Sequence, residues 1–157
     1  MMFNSETEFE IHIRKVIEEK ISTHNSEIVL LQNKDVADIL VCKNSNPSRI
    51  FFIEAKFHKT SNGRIGFGNS QGGGFQPEIL TKRPKYFDEN MIWIFGKEND
   101  DKFYIGRNDE VSKYFCGGQI RIKFNNFQSK IYKHLTHYSE EELTEYLKKW
   151  FEQGNCV

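Results

Sequence analysis

The chain has 157 residues, 22 Lys plus Arg against 22 Asp plus Glu, 38% hydrophobic and 14% aromatic residues. Fourteen Phe, six Tyr and two Trp supply the core of one globular domain over residues 1–157, far from the low-hydrophobicity, high-charge regime of disorder. No apolar run approaches the roughly 18 residues of a membrane span, no secretory apolar core opens the chain, and Cys42, Cys116 and Cys156 lack the CxxC spacing of a zinc knuckle, so a soluble, cytoplasmic protein with reduced thiols is expected. Ser5 followed by Glu8 is a capping-box pattern. Phe9, Ile13, Val16 and Ile17 then recur at helical spacing, predicting an amphipathic helix from residue 5 to about 22. β-rich runs at Ile28–Leu31, Val36–Cys42 and Ile50–Phe57 predict three strands, the last two joined as an antiparallel hairpin by the turn-rich Lys43–Ser48.

Residues 60–76 carry most of the glycine and predict a flexible loop through which no regular element persists. Pro77 suits a first helical position, so Glu78–Arg83 predicts a short helix that Pro84 stops. Met91–Phe95 reads as a buried strand, with Lys102–Ile105 as an edge strand beside it. Asn108–Phe115 predicts a short helix and Gln119–Phe124 a strand. Ser139 with Glu142 caps a closing amphipathic helix through Leu143, Leu147, Trp150 and Phe151. The order predicts an α/β fold, a mixed central sheet flanked by helices.

Charges are rare inside apolar strands, yet Asp38 lies within Val36–Val41 and Glu54 and Lys56 lie within Ile50–Phe57. Side chains alternate along a strand, so Glu54 and Lys56 share one face while Ile53, Ala55 and Phe57 share the other. The predicted hairpin sets Asp38 across from Glu54. Two carboxylates and an ammonium in one patch suit metal-assisted phosphodiester cleavage: hard oxygen ligands for Mg²⁺ (or Mn²⁺) at Asp38 and Glu54, and a cation at Lys56 to orient the attacking water. A cross-strand salt bridge on a solvent-facing sheet gives the same string of residues.

Over residues 5–96 the sequence resembles the PD-(D/E)XK nuclease superfamily, on three pieces: an acid-bearing first helix, Ala37-Asp38-Ile39-Leu40-Val41 in place of the usual Pro-Asp-apolar stretch, and Ile53-Glu54-Ala55-Lys56. The resemblance implies a restriction-endonuclease-like fold, metal ligation by Asp38 and Glu54, and catalysis by Lys56. An acid of the first helix often joins such sites, and Glu6 and Glu10 both border the apolar stripe. Glu10 is the preferred candidate. Gln76 resembles the glutamine some members place after the ExK strand, which makes it a further candidate catalytic residue. The implied activity is that of a Mg²⁺-dependent DNA endonuclease of the type II restriction kind, a homodimer acting on double-stranded DNA. A repair or junction nuclease, an RNase toxin of the same fold, or a non-catalytic immunity or adaptor protein are the alternatives.

Zero net charge removes overall basicity as a pointer to nucleic acid, so local charge must carry it. Lys59, Arg64, Asn69 and Gln71 around the glycine-rich stretch are donors suited to phosphates or base edges. Lys43–Arg64 holds five basic residues against Glu54 alone, and Lys113–Lys133 adds basic residues interleaved with Phe124, Phe127 and Tyr132. His58 follows Lys56 on the same strand face.

Overall fold

Ser5 starts the first helix as its capping pattern predicts, its hydroxyl accepting the Glu8 N–H at 3.1 Å. In the computed structural model, which describes residues 2–32, 37–59, 64–66, 84–111, 121–123 and 132–155, α1 spans Glu6–Ile17 and runs on into a π turn, Glu18–Ser22. Its stripe of Phe9, Ile13, Val16 and Ile17 is buried.

Three antiparallel strands follow: β1 (Ile28–Leu31), β2 (Ile39–Lys43) and β3 (Arg49–His58), with Leu31 opposite Leu40 and Ile39 opposite Ile53. Ala37 and Asp38 form a bend, so β2 opens at Ile39; Val36 lies outside the described residues. After β4 (Arg64–Gly66) and α2 (Pro84–Asn90), β5 (Met91–Lys97) returns parallel to β3. β6 (Phe103–Arg107), α3 (Asn108–Val111), β7 (Arg121–Lys123), α4 (Tyr132–His134), β8 (Thr136–Tyr138) and α5 (Glu140–Gln153) complete the described elements. The main sheet has the order β1-β2-β3-β5-β6-β8, and β4 pairs with β7 in a second, two-stranded sheet. The molecule is a mixed α/β protein in which one parallel pair, β3 with β5, joins two antiparallel halves.

Strands β2, β3, β5 and β6 send alternate side chains into two cores. Phe51, Ile53, Ala55 and Phe57 of β3 join Phe9 and Ile13 of α1 and Leu143, Leu147, Trp150 and Phe151 of α5. Phe52 of β3 instead joins Trp93 and Phe95 of β5, with Phe87 of α2, Val111 of α3 and Tyr132 of α4. Helices thus cover both faces of the sheet. No helix among the described residues is long and apolar enough to cross a membrane.

Two local expectations need correction, and two others extend beyond the described residues. Pro84 opens a helix, because its fixed φ and missing N–H suit a first turn; Glu78–Arg83, the helix it is expected to stop, lies outside the described residues. The glycine-rich stretch contains β4, whose pairing with β7 stabilises a strand that its own sequence would not. Phe103–Arg107 is not an edge, since β8 adds beyond it; three residues are too few to show a period. Asn108–Val111 is helical as expected, and the rest of that predicted helix, to Phe115, lies outside the described residues.

Candidate active site

The site forms where β2 stops and β3 continues. The last β2–β3 pair is Ile39 with Ile53, and one further step of the same register sets Asp38 opposite Glu54. Beyond that point two side-chain carboxylates take over the ladder: Asp38 Oδ2 accepts the Ala55 N–H at 2.9 Å, and Glu6 Oε2 accepts the Phe57 N–H at 3.3 Å. Carboxylate acceptors thus stand where a longer β2 would have offered carbonyls.

Glu54 and Lys56 project from the same side of β3 as Phe52, as alternation requires, and both are buried, at 1% and 7% exposure. They are not a solvent-facing pair. Lys56 Nζ lies 2.9 Å from Glu54 Oε1 and 3.4 Å from Glu6 Oε1. One ammonium therefore serves two acids, while Glu54 Oε2 is buried with no hydrogen-bond partner among the described residues. Leaving a buried carboxylate oxygen unsatisfied costs free energy, and it is the kind of atom that a bound cation would satisfy.

Burial pushes the Glu54 carboxyl up to about 7, against the pull of the Lys56 ammonium and with the push of the Asp38 carboxylate. Burial also raises Asp38, opposed by Lys56 and by the Ala55 N–H. Lys56 is disfavoured as a cation by burial, but Glu54, Asp38 and Glu6 together outweigh that and hold it above the ordinary lysine range. The pair therefore keeps its proton on Lys56, and Glu54 is the group that titrates near neutrality.

The structure brings Asp38, Glu54 and Lys56 together as the sequence predicts. Of the two helix acids, Glu6 meets Lys56, whereas Glu10 is engaged by Arg14 at 2.9 Å and reaches Asp38 through its field. Both acids border the stripe of α1, and only the depth at which the helix starts over the end of β2 favours Glu6. Arg14 is the residue that sequence reasoning overlooked: it binds Glu10, donates to the Leu31 carbonyl at 3.5 Å and donates to the Asp38 carbonyl. Its one sequence signal is the Glu10–Arg14 spacing of an i,i+4 pair. His58 lies on the Lys56 face, with its ring stacked 6.4 Å from that of Tyr132.

Among the described residues no three His, Cys, Asp or Glu side chains gather as a metal-binding group. Mg²⁺ is commonly held by only one or two carboxylates plus waters, so Asp38 and Glu54 fit its donor preference. Lys59 follows β3 directly and is half-buried, and Arg64 lies in β4. Asn69, Gln71 and Gln76 lie outside the described residues, as do Phe124 and Phe127. Tyr132 belongs to the second core and is no exposed stacking platform. Compared with known proteins, the chain matches no family model and no curated sequence.

Proposed function

We propose that this protein is a Mg²⁺-dependent endonuclease of restriction-endonuclease-like fold that hydrolyses DNA, acting as a type II enzyme and a homodimer. The observation that carries this reading is the buried Asp38–Glu54–Lys56 group at the end of the β2–β3 hairpin, with Glu54 Oε2 unsatisfied among the described residues. The element order supports it: an acid-bearing helix, three antiparallel strands, a helix, then a strand parallel to the third. Asp38 and Glu54 would hold the cation, which supplies charge stabilisation at the phosphate and a more acidic bound water. Lys56 would donate to the attacking water and hold it in line, its raised affinity for the proton making it a fixed donor and not a base.

A second reading has its own support, because the Asp38 and Glu6 carboxylates also act as structural acceptors for the β3 ladder. On that reading the group is scaffold in a non-catalytic binding protein. Supercoiled plasmid incubated with Mg²⁺, with and without EDTA, separates the two. Discrete fragments abolished by EDTA and by Asp38→Asn are expected, since Asn keeps an acceptor for the Ala55 N–H but loses the ligand charge. Intact plasmid under every condition would leave the scaffold reading. Nicking confined to branched DNA would identify a junction nuclease.

A further inference from the structure

Asp38 stands outside the regular sheet. It lies past the end of the β1–β2 ladder at Leu31–Leu40 and past the β2–β3 pair at Ile39–Ile53, so its main chain is not fixed by strand pairing. Among the described residues two side-chain hydrogen bonds anchor it: its carboxylate accepts the Ala55 N–H, and its carbonyl accepts from Arg14. The same guanidinium donates to the carbonyl of Leu31, the last residue of β1, and its Nε is locked to Glu10 Oε1 at 2.9 Å. Both Arg14 and Glu10 are largely buried, at 14% and 12% side-chain exposure. A planar fork with five donors can bind a carboxylate and two carbonyls in one fixed geometry, whereas an ammonium on a flexible stem cannot.

We infer that Arg14 is a positioning residue: braced by Glu10, it ties the end of β1 and the bend before β2 to α1, and thereby aims the Asp38 carboxylate at Ala55 and Glu54. The role rests on the nuclease reading only in what Asp38 is aimed to do. An amide proton can report the aiming independently, because the Ala55 N–H is protected by the Asp38 carboxylate itself.

The test compares wild type, Arg14→Gln and Arg14→Lys by residue-resolved amide exchange, by Mn²⁺ titration followed by electron paramagnetic resonance, and by plasmid cleavage. In Arg14→Gln the Ala55 amide should exchange roughly tenfold faster or more relative to the amides of β5, as a local opening does. Mn²⁺ affinity should fall by about tenfold to a hundredfold, the usual effect of losing a group that orients a ligand. kcat should fall with it while KM for DNA holds. Arg14→Lys should lie between, because lysine reaches one carbonyl and not the rest. Ala55 exchange and Mn²⁺ affinity equal to wild type in Arg14→Gln would overturn the inference, whatever the wild type does to DNA. Faster Ala55 exchange in a protein whose wild type neither binds Mn²⁺ nor cuts would uphold the anchoring and sink the nuclease reading. Should Arg14→Gln not fold, Arg14→Lys decides: unchanged Ala55 exchange there overturns the inference.

Discussion

Each acid of the candidate site has a structural partner beside the chemical use proposed for it, so substitutions must be chosen with the partner in view. Asp38→Ala strips the Ala55 N–H of its acceptor and should cost about 1–3 kcal/mol of stability, whereas Asp38→Asn should cost much less. Urea denaturation of the two variants checks the difference, and equal losses would mean that the hydrogen bond carries no weight. Glu54 adds a pH dependence of defined sign. Its carboxyl titrates near 7 when folded and near the ordinary 4.5 when unfolded, so between those values the folded chain holds more protons. Stability contributed at Glu54 must therefore fall as pH rises from about 4.5 to 7, with the full cost present above. Wild type should lose stability relative to Glu54→Gln between pH 5 and 8, as read from paired denaturation curves. A difference that stays constant over that range would show that Glu54 does not titrate there. This outcome is independent of any catalysis.

Among the elements, α1 carries the most consequence, because it both roofs one core and delivers Glu6 and Arg14 to the site. Its seat depends on Gly96 in β5, where an added Cβ would stand 2.6 Å from Phe9 Cε2 and 3.0 Å from Phe57 Cδ2. Gly96→Ala should therefore lift α1 and destabilise the protein by about 1–3 kcal/mol through overpacking. Calorimetry reads the loss, and an unchanged melting temperature would show that Phe9 yields without cost. The hairpin, the buried strand over Met91–Phe95 and the two terminal helices were legible in the sequence, because each has a clear period, an unbroken apolar run or its own caps or turns. β4 and β8 have three residues each and owe their form to partners distant in sequence, which no local pattern records, whereas β7 falls inside the strand expected over Gln119–Phe124. The same distinction holds in the site. Register and alternation place Asp38, Glu54 and Lys56, whereas the choice between Glu6 and Glu10 depends on how a helix docks, and that is tertiary information.

At the scale of the molecule, zero net charge means that any attraction to DNA must be local. Several basic residues of the Lys43–Arg64 stretch already have internal partners: Lys43 with Glu152 at 2.6 Å, Arg49 with Asn90 at 2.8 Å, and Lys56 within the site. Among the described residues Lys59 has no such partner, and it follows β3 at the end that bears Lys56. Lys59→Ala should weaken DNA binding alike for all sequences and reduce the slope of log affinity against log salt by about 1. Fluorescence anisotropy at several salt concentrations measures this, and an unaltered slope would remove Lys59 from the interface. The first and last described helices close the molecule on itself, since Glu140 at the start of α5 binds both His12 of α1 at 2.7 Å and Lys20 of the π turn at 2.5 Å. The apolar stripe of α1 therefore waits for α5, whose Glu140 the ribosome adds 128 residues after His12. At about 5–20 residues per second that wait is on the order of ten seconds, during which the nascent chain presents Phe9 and Ile13 uncovered by α5, and the holdase chaperones that bind such stripes have time to act.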